Sequence, residues 1–236
     1  MKNKKITFGY HTSVDFIDMP KPASKHIPSW YAKLERYIGG KPEVTPMGPN
    51  KGAKLCMPFM ESFTTGYIIE AWTDIEIRQE PQGVVIKGLA GPFPAIERNP
   101  EQARTLPTPI GCMSNHFVWQ FPHSFKTPKG YSCLLTHPLN RHELPFITLS
   151  GVIDSDTVVA PGNYPFFLKE GFEGIIPAGT PLAQIIPFKR DNWVSEKDNS
   201  ISKEGFRNTY NATRSLIGEW YKNNAWIKKT YSEGKK

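Results

Sequence analysis

Proline punctuates this chain along its whole length, and that constrains the fold more than any other feature of the sequence. There are 22 prolines and 19 glycines in 236 residues. A proline lacks the N–H that a ladder or helix bond requires, so it is kept out of helix interiors and central strands. The spread predicts many short strands joined by ordered loops. Hydrophobic residues at 39% and aromatics at 12% are enough to fill a globular core. The length suits one large domain or two small ones, and no segment repeats.

Short apolar runs bounded by Gly, Pro, Asn and Asp read as strands, because those residues interrupt the ladder where the chain must turn. The stretch Leu149 to Arg190 is the centre of this pattern. It reads as a strand over Phe146 to Ile153, an acidic corner at Asp154, Ser155 and Asp156, and a strand over Tyr164 to Leu168. A Gly-rich turn at Glu170 to Gly174 follows, and Ala178-Gly179-Thr180 feeds a third strand over Pro181 to Phe188.

Upstream, Lys5 to His11 reads as a first strand. Gly66 to Arg78 reads as one long strand with Tyr67, Ile69, Ala71, Thr73, Ile75 and Ile77 on one face, since side chains alternate along a strand. Gln79 to Gly83 is a hairpin turn, and Val84 to Leu89 returns. Gly91 to Pro109 is a loop with a helical turn at Pro100 to Arg104. Asn115 to Phe121 and Tyr131 to Thr136 are further strands, with Pro122 to Gly130 between them. Pro20 to Pro28 is a linker. Ser29 then caps a short helix whose aromatic pair, Trp30 and Tyr31, is expected to plug against the sheet.

The corner Gly151-Val152-Ile153-Asp154-Ser155-Asp156, followed by Gly179-Thr180-Pro181-Leu182-Ala183-Gln184-Ile185-Ile186, resembles two motifs of the dUTPase and dCTP deaminase superfamily. Ser62-Phe63-Thr64-Thr65-Gly66-Tyr67-Ile68-Ile69 is similar to a third, upstream motif, and the order agrees. The resemblance covers about a third of the chain. It implies a mainly β, dUTPase-like β-clip barrel, here with a short N-terminal helix and a C-terminal amphipathic helix, assembled as a homotrimer with sites between subunits. It also implies that the acid-bearing corner and the strand bearing Gln184 lie side by side in a closed barrel.

Several positions depart from the family pattern. Asp154 matches the acid that would hold the sugar hydroxyl and attacking water, but Thr157 stands where a Tyr would stack on the deoxyribose. Ile68 replaces an Asp. The segment Thr136 to His142 lacks the Ser-Gly of the phosphate loop, and no Gly-rich arm closes the chain. Tyr164 to Leu168 lacks the Glu of the deaminase branch. The resemblance therefore points to the fold more than to the chemistry.

Arg141 and Glu143 precede the central strand where the family keeps its phosphate loop. Arg141, Asp156 and Gln184 are the candidate ligand-binding residues, and Asp154 the candidate catalytic one if the chain is an enzyme. An anion would be held by charge-assisted hydrogen bonds to Arg141. The structural alternative is an ion pair between Arg141 and an acid such as Asp156, with both corner acids satisfying backbone N–H groups. His116, His123, His137 and His142 cluster in sequence near Cys112. They lack the tight spacing of ligating imidazoles, so no metal is expected and they read as hydrogen-bonded loop histidines.

A net charge of +7 raises nucleic acid as a partner. The cations gather at the ends, Lys2, Lys4 and Lys5 and then Lys228, Lys229, Lys235 and Lys236, which reads as solvated tails, and nucleic acid is not expected. No apolar run is long enough for a membrane span or a signal peptide. Three cysteines, Cys56, Cys112 and Cys133, without a C-x-x-C pair fit a reduced, cytoplasmic protein.

After Arg190 the composition turns polar. Phe206, Tyr210, Thr213, Ile217, Trp220 and Asn224 fall on a three-and-four spacing that predicts one amphipathic helix of about five turns. Its aromatic stripe, with Tyr221 and Trp226 near the end, is a candidate clamp on an adjacent copy. Three segments are expected: 1–53 with the first strand, linker and helix, 54–190 as the barrel core, and 191–236 as the helical extension. Two functions fit. One is a non-catalytic assembly or binding protein, its strings IPSWY, CMPF, HPLNR and IIPFKR resembling those of phage-encoded proteins, contacting other virion or host proteins in the host cytoplasm or virion without a cofactor. The other is a divergent deoxynucleoside triphosphate pyrophosphatase or deaminase, which would need magnesium to neutralise developing charge.

Overall fold

A computed structural model describes residues 4–10, 16–92, 94–98, 100–103, 105–159, 162–214 and 219–234. The protein is mainly β, as the proline and glycine punctuation predicts. In chain order the first strands are β1 (Thr7–Tyr10), β2 (Lys21–Pro22), β3 (Val44–Thr45), β4 (Gly48–Pro49), β5 (Tyr67–Glu70), β6 (Ile75–Glu80), β7 (Gly83–Gly88) and β8 (Ala95–Glu97). They continue as β9 (Phe117–Gln120), β10 (His123–Lys126), β11 (Tyr131–Thr136), β12 (Phe146–Thr148), β13 (Gly151–Ile153), β14 (Asn163–Leu168), β15 (Gly174–Ile176) and β16 (Pro181–Lys189). The helices are α1 (Ser29–Ala32), α2 (Met57–Ser62), α3 (Pro100–Ala103), α4 (Ile201–Arg214) and α5 (Trp220–Asn224).

The chain divides into two compact units. The first comprises Met1–Ala23, Gly66–Arg190 and Ser232–Lys236, and the second Ser24–Thr65 and Asp191–Tyr231. The expected consecutive segments 1–53, 54–190 and 191–236 cut the chain differently. The short N-terminal helix and most of the C-terminal extension, Asp191–Tyr231, fall in the same unit although they are remote in sequence.

In the first unit the sheets are antiparallel, with orders β13-β11-β16-β5-β2, β12-β14-β9-β8, β15-β6-β7 and β1-β10. The expected closed barrel does not form among the described residues, and the strands divide among these separate sheets instead. The physical reason lies in short ladders broken by corners. Phe146 to Ile153 is not one strand: Leu149 and Ser150 separate β12 from β13, and the two join different sheets.

The long strand expected over Gly66 to Arg78 is likewise two, β5 and β6, in different sheets. The break is held by backbone bonds in which Ala71 N–H donates to Thr180 O and Gly179 N–H donates to Ala71 O. Burial at Ile69, Ala71, Thr73, Ile75 and Ile77 nevertheless keeps the alternation read from sequence. The hairpin from β6 to β7, the helical turn at α3 and the strands β9, β11, β14 and β16 stand close to their expected positions. Pro122 to Gly130 contains a strand, β10, paired with β1. His11, Arg104 and Ile217 lie outside the described residues.

The two prolines inside long strands show how proline enters a sheet. The carbonyl of Ile185 faces Gly66 beside β5, so Pro187, two residues on, turns its missing N–H to the same side. There β5 has already ended, since its pairing stops at Ile185↔Tyr67. The carbonyl of Pro165 accepts from Leu149, just past the last β12 pair at Thr148↔Phe166. Pro187 thus faces the vacant side of its strand, and Pro165 forgoes only the return bond to Leu149 at the end of the β12 ladder.

The core of this unit is aromatic. Trp119 stacks on Phe166 with centroids 3.6 Å apart and meets the edge of Phe146 at 5.1 Å. All three are fully buried, with Ile75, Ile77, Leu135, Leu168, Leu182 and Ile185 around them. Trp119 Nε1 donates to Thr148 Oγ1 at 3.0 Å, and that hydroxyl donates to Leu182 O at 2.7 Å. The indole is therefore satisfied without water, as a buried N–H must be.

In the second unit Pro28, not Ser29, occupies the cap position of α1, and no side chain caps it. Trp30 and Tyr31 pack with Phe59 of α2 and with Phe63 just past its end, Tyr31 and Phe63 at 4.7 Å. Lys51 Nζ donates to Ala212 O and Thr213 O, satisfying carbonyls at the C-terminal end of α4. Arg36 pairs with Glu219 at 2.6 Å and Lys229 with Glu61 at 2.9 Å. The aromatic stripe of α4 stays open to solvent, with Phe206 at 79% and Tyr210 at 64% exposure.

Candidate functional site

The acidic corner follows β13, where the chain folds back on itself: Ser155 N–H donates to Ile153 O, and Thr157 and Val158 N–H both donate to Asp154 O. Ser155 points inward and is fully buried, its hydroxyl bonded to Thr127 Oγ1 at 2.7 Å and to Cys133 Sγ at 3.4 Å. Asp154 stays exposed and Asp156 is covered, its side chain 4% exposed, and both meet the end of β16.

Arg190, one residue past β16, meets both acids. Its Nη1 and Nη2 bond the two oxygens of Asp156 at 2.7 and 2.5 Å, and Nη1 reaches Asp154 Oδ1 at 3.1 Å. Asp156 Oδ2 also accepts from Gly130 N–H at 2.7 Å, and Gly130 O accepts from Arg190 N–H at 2.9 Å. Ser132 of β11 donates to Asp154 Oδ1 at 2.7 Å. The guanidinium and the Gly130 N–H hold the Asp156 carboxyl down to about 2. The Ser132 hydroxyl and Arg190 lower that of Asp154 as well. Both acids are anions at neutral pH, and one arginine, bidentate on Asp156 and singly bonded to Asp154, offsets one of their two charges.

Arg141 makes the expected ion pair with an acid, but the acid is Glu143 rather than Asp156. Arg141 Nε bonds Glu143, two residues away, and Asp156 is taken by Arg190. A neighbour in sequence reaches a guanidinium without ordering a long loop, so the local acid prevails.

Gln184 is 1% exposed, and its Oε1 accepts Leu139 N–H at 2.8 Å. It braces the 137–143 loop. Asp154 and Gln184 share a sheet but are not side by side, because β11 runs between their strands. Asp154 stands level with Ser132 and Gln184 opposite Thr136. Four residues of β11 are about 13 Å. The 137–143 loop is fixed from within as well. His137 Nδ1 accepts Thr148 N–H at 3.3 Å, so its Nε2–H donates to Arg141 O at 3.1 Å. Asn140 takes φ 58°, a left-handed conformation that Asn tolerates. Lys169 Nζ bonds His142 O.

The histidines do not converge. His116 stacks on Phe167 at 5.3 Å, and His123 Nε2 bonds Asp18 O at 2.8 Å, whereas His142 is exposed. Burial lowers the pKa of His116, His123 and His137. Among the described residues no group of three or more His, Cys, Asp or Glu forms a metal cage. Cys56, Cys112 and Cys133 are free thiols, and burial raises the latter two.

Sequence reasoning missed Arg190, Ser132 and Gly130. The only signal was position: Arg190 ends the strand that pairs with β11, so its distance from the corner depends on the register Ser132↔Phe188.

These features define a mainly β protein with an ion-paired acidic corner and, among its described residues, no helix long and apolar enough to cross a membrane. No protein-family model and no curated protein matches the chain.

Proposed function

We propose that this protein is a non-catalytic assembly and binding protein with a dUTPase-like fold, phage-encoded and working as a homotrimer in contact with other virion or host proteins. The observation that carries this reading is the double grip of Arg190 on Asp154 and Asp156. A corner acid that must position water or a metal keeps its lone pairs turned to the ligand, and here both carboxylates are engaged by a cation of the same chain. The other candidates support the same reading: Arg141 is bonded to Glu143 and Gln184 to the Leu139 N–H. Around the corner Val152, Val158 and Val159 are 64, 56 and 52% exposed, an apolar surface suited to a neighbouring copy. Trp193 at 88% and Ile227 at 76% add further apolar contact residues in the C-terminal extension.

A divergent deoxynucleoside triphosphate pyrophosphatase or deaminase, using magnesium, is the second reading. It is favoured by the openness of Asp154, whose side chain is 59% exposed despite its bonds. The test is a panel of deoxynucleoside triphosphates with magnesium, scored for pyrophosphate and ammonia release, beside light scattering. A stable trimer with no turnover is expected. Turnover that disappears in Asp154→Asn overturns the non-catalytic reading, and a monomer at micromolar concentration overturns the assembly.

A further inference from the structure

The outward face of α4 carries a ladder of alternating cations and aromatics. Lys203, Phe206, Arg207, Tyr210 and Arg214 follow at spacings of three, one, three and four residues, and all five are exposed. At 100° per residue they occupy one arc of about 100°. The ladder runs about 16 Å along the helix, from its first turn to its last. Glu204, the one acid in α4, falls outside that arc. Asn208 and Ala212 lie on the opposite side and Asn211 on the flank, all half-buried, and Lys51 holds the Ala212 carbonyl. The face is thus fixed toward solvent by packing on its back.

We propose that this face binds single-stranded nucleic acid, with Phe206 and Tyr210 as platforms for successive bases and Lys203, Arg207 and Arg214 against the phosphates. Charge complementarity selects a polyanion. Pairing of this face with its copy sets three cations against three cations, and the chain as a whole is already at +7. The apolar component selects bases over an acyl phase or a helix-binding groove. The arc holds two flat rings and no aliphatic anchor, whereas amphipathic helices that enter membranes or grooves present aliphatic runs. Stacking on exposed aromatics beside cations is the sequence-tolerant mode by which single strands are held. The cations counted in the sequence at the chain ends are not those of this site. The reading rests on α4 alone and stands or falls apart from the trimer and the corner.

The test uses the full chain and fluorescein-labelled oligo-dT and oligo-U of about 20 nucleotides, read by anisotropy. Binding is expected for at least one of them, weakening with salt on a log–log slope of about −2 for three phosphate contacts on a single strand. Phe206→Ala with Tyr210→Ala is expected to weaken binding at least about tenfold with unchanged helix content by circular dichroism, because neither ring is packed. Lys203→Glu, Arg207→Glu and Arg214→Glu together are expected to flatten the salt slope. No binding at 50 mM salt overturns the proposal, as does affinity unaffected by the double alanine variant. Equal affinity for duplex of the same sequence overturns the stacking mode. Binding of polyglutamate or phosphatidylserine vesicles without binding of either oligonucleotide assigns the face to an acidic protein or a membrane and likewise overturns it.

Discussion

Arg190 grips Asp156 through two parallel bonds, Nη1 to Oδ1 at 2.7 Å and Nη2 to Oδ2 at 2.5 Å, and so ties the end of one strand to a corner 34 residues away. The folded carboxyl titrates at about 2 against an ordinary 3.8. A depressed carboxyl contributes stability that is fully present above the unfolded value and is lost as pH falls through the folded one. The contribution is therefore complete above about pH 4 and disappears toward pH 2. Arg190→Ala is expected to lower the thermal midpoint at pH 7 and to leave it less sensitive to acid between pH 4 and 2. Thermal unfolding across that range in the wild type and the variant checks both.

His137 is expected to act as an acid-sensitive latch on the 137–143 loop. Its Nδ1 accepts the Thr148 N–H, and burial with Lys169 and His142 nearby lowers its pKa below 6.5. Stability from the neutral ring is present above pH 6.5 and declines as pH falls below it toward the lower folded value. Protonation sets an N–H against the Thr148 N–H. Protection factors of the Leu139 and Thr148 amides, taken relative to the intrinsic exchange rate at each pH, should fall below pH 6.5 and follow the imidazole titration seen by NMR.

Thr148→Val keeps the shape of the side chain but orphans Trp119 Nε1–H and Leu182 C=O, both in the core. Each buried group left unpaired costs about 1–3 kcal/mol, so a loss of about 3 kcal/mol is expected. Thr148→Ser keeps the hydroxyl and should lose about 1 kcal/mol. Urea unfolding of the two variants separates the hydrogen bonds from the methyl group.

Gly66 and Gly130 both adopt positive φ, 77° and 84°, but differ in what surrounds them. A Cβ on Gly66 falls 2.1 Å from Ile185 O in the paired strand, whereas one on Gly130 meets nothing within 4 Å. Gly130→Ala is expected to cost about 1–2 kcal/mol, the left-handed penalty alone. Gly66→Ala must also push β5 from β16, so about 3 kcal/mol or more is expected, or failure to fold. Expression level and thermal midpoint distinguish them.

Much of the β framework was legible because it depends on local chemistry. Alternating burial at Ile69, Ala71, Thr73, Ile75 and Ile77 follows from the two-residue period of extended chain, whichever sheet each strand joins. The left-handed turn at Gly179 needs only a residue without a Cβ. Less of the candidate site was legible. Asp154 and Asp156 stood out as acids in a turn, but their partner Arg190 did not.

Residue order by itself determined that this chain makes short strands and that α4 has one cationic and aromatic face, since each is set within a few residues. Tertiary structure alone decided that β5 and β6 part into different sheets, that β11 separates Asp154 from Gln184, and that Arg190 reaches the acidic corner. Those outcomes depend on which ladders register against which, and a ladder is specified by the summed fit of two distant segments rather than by either one.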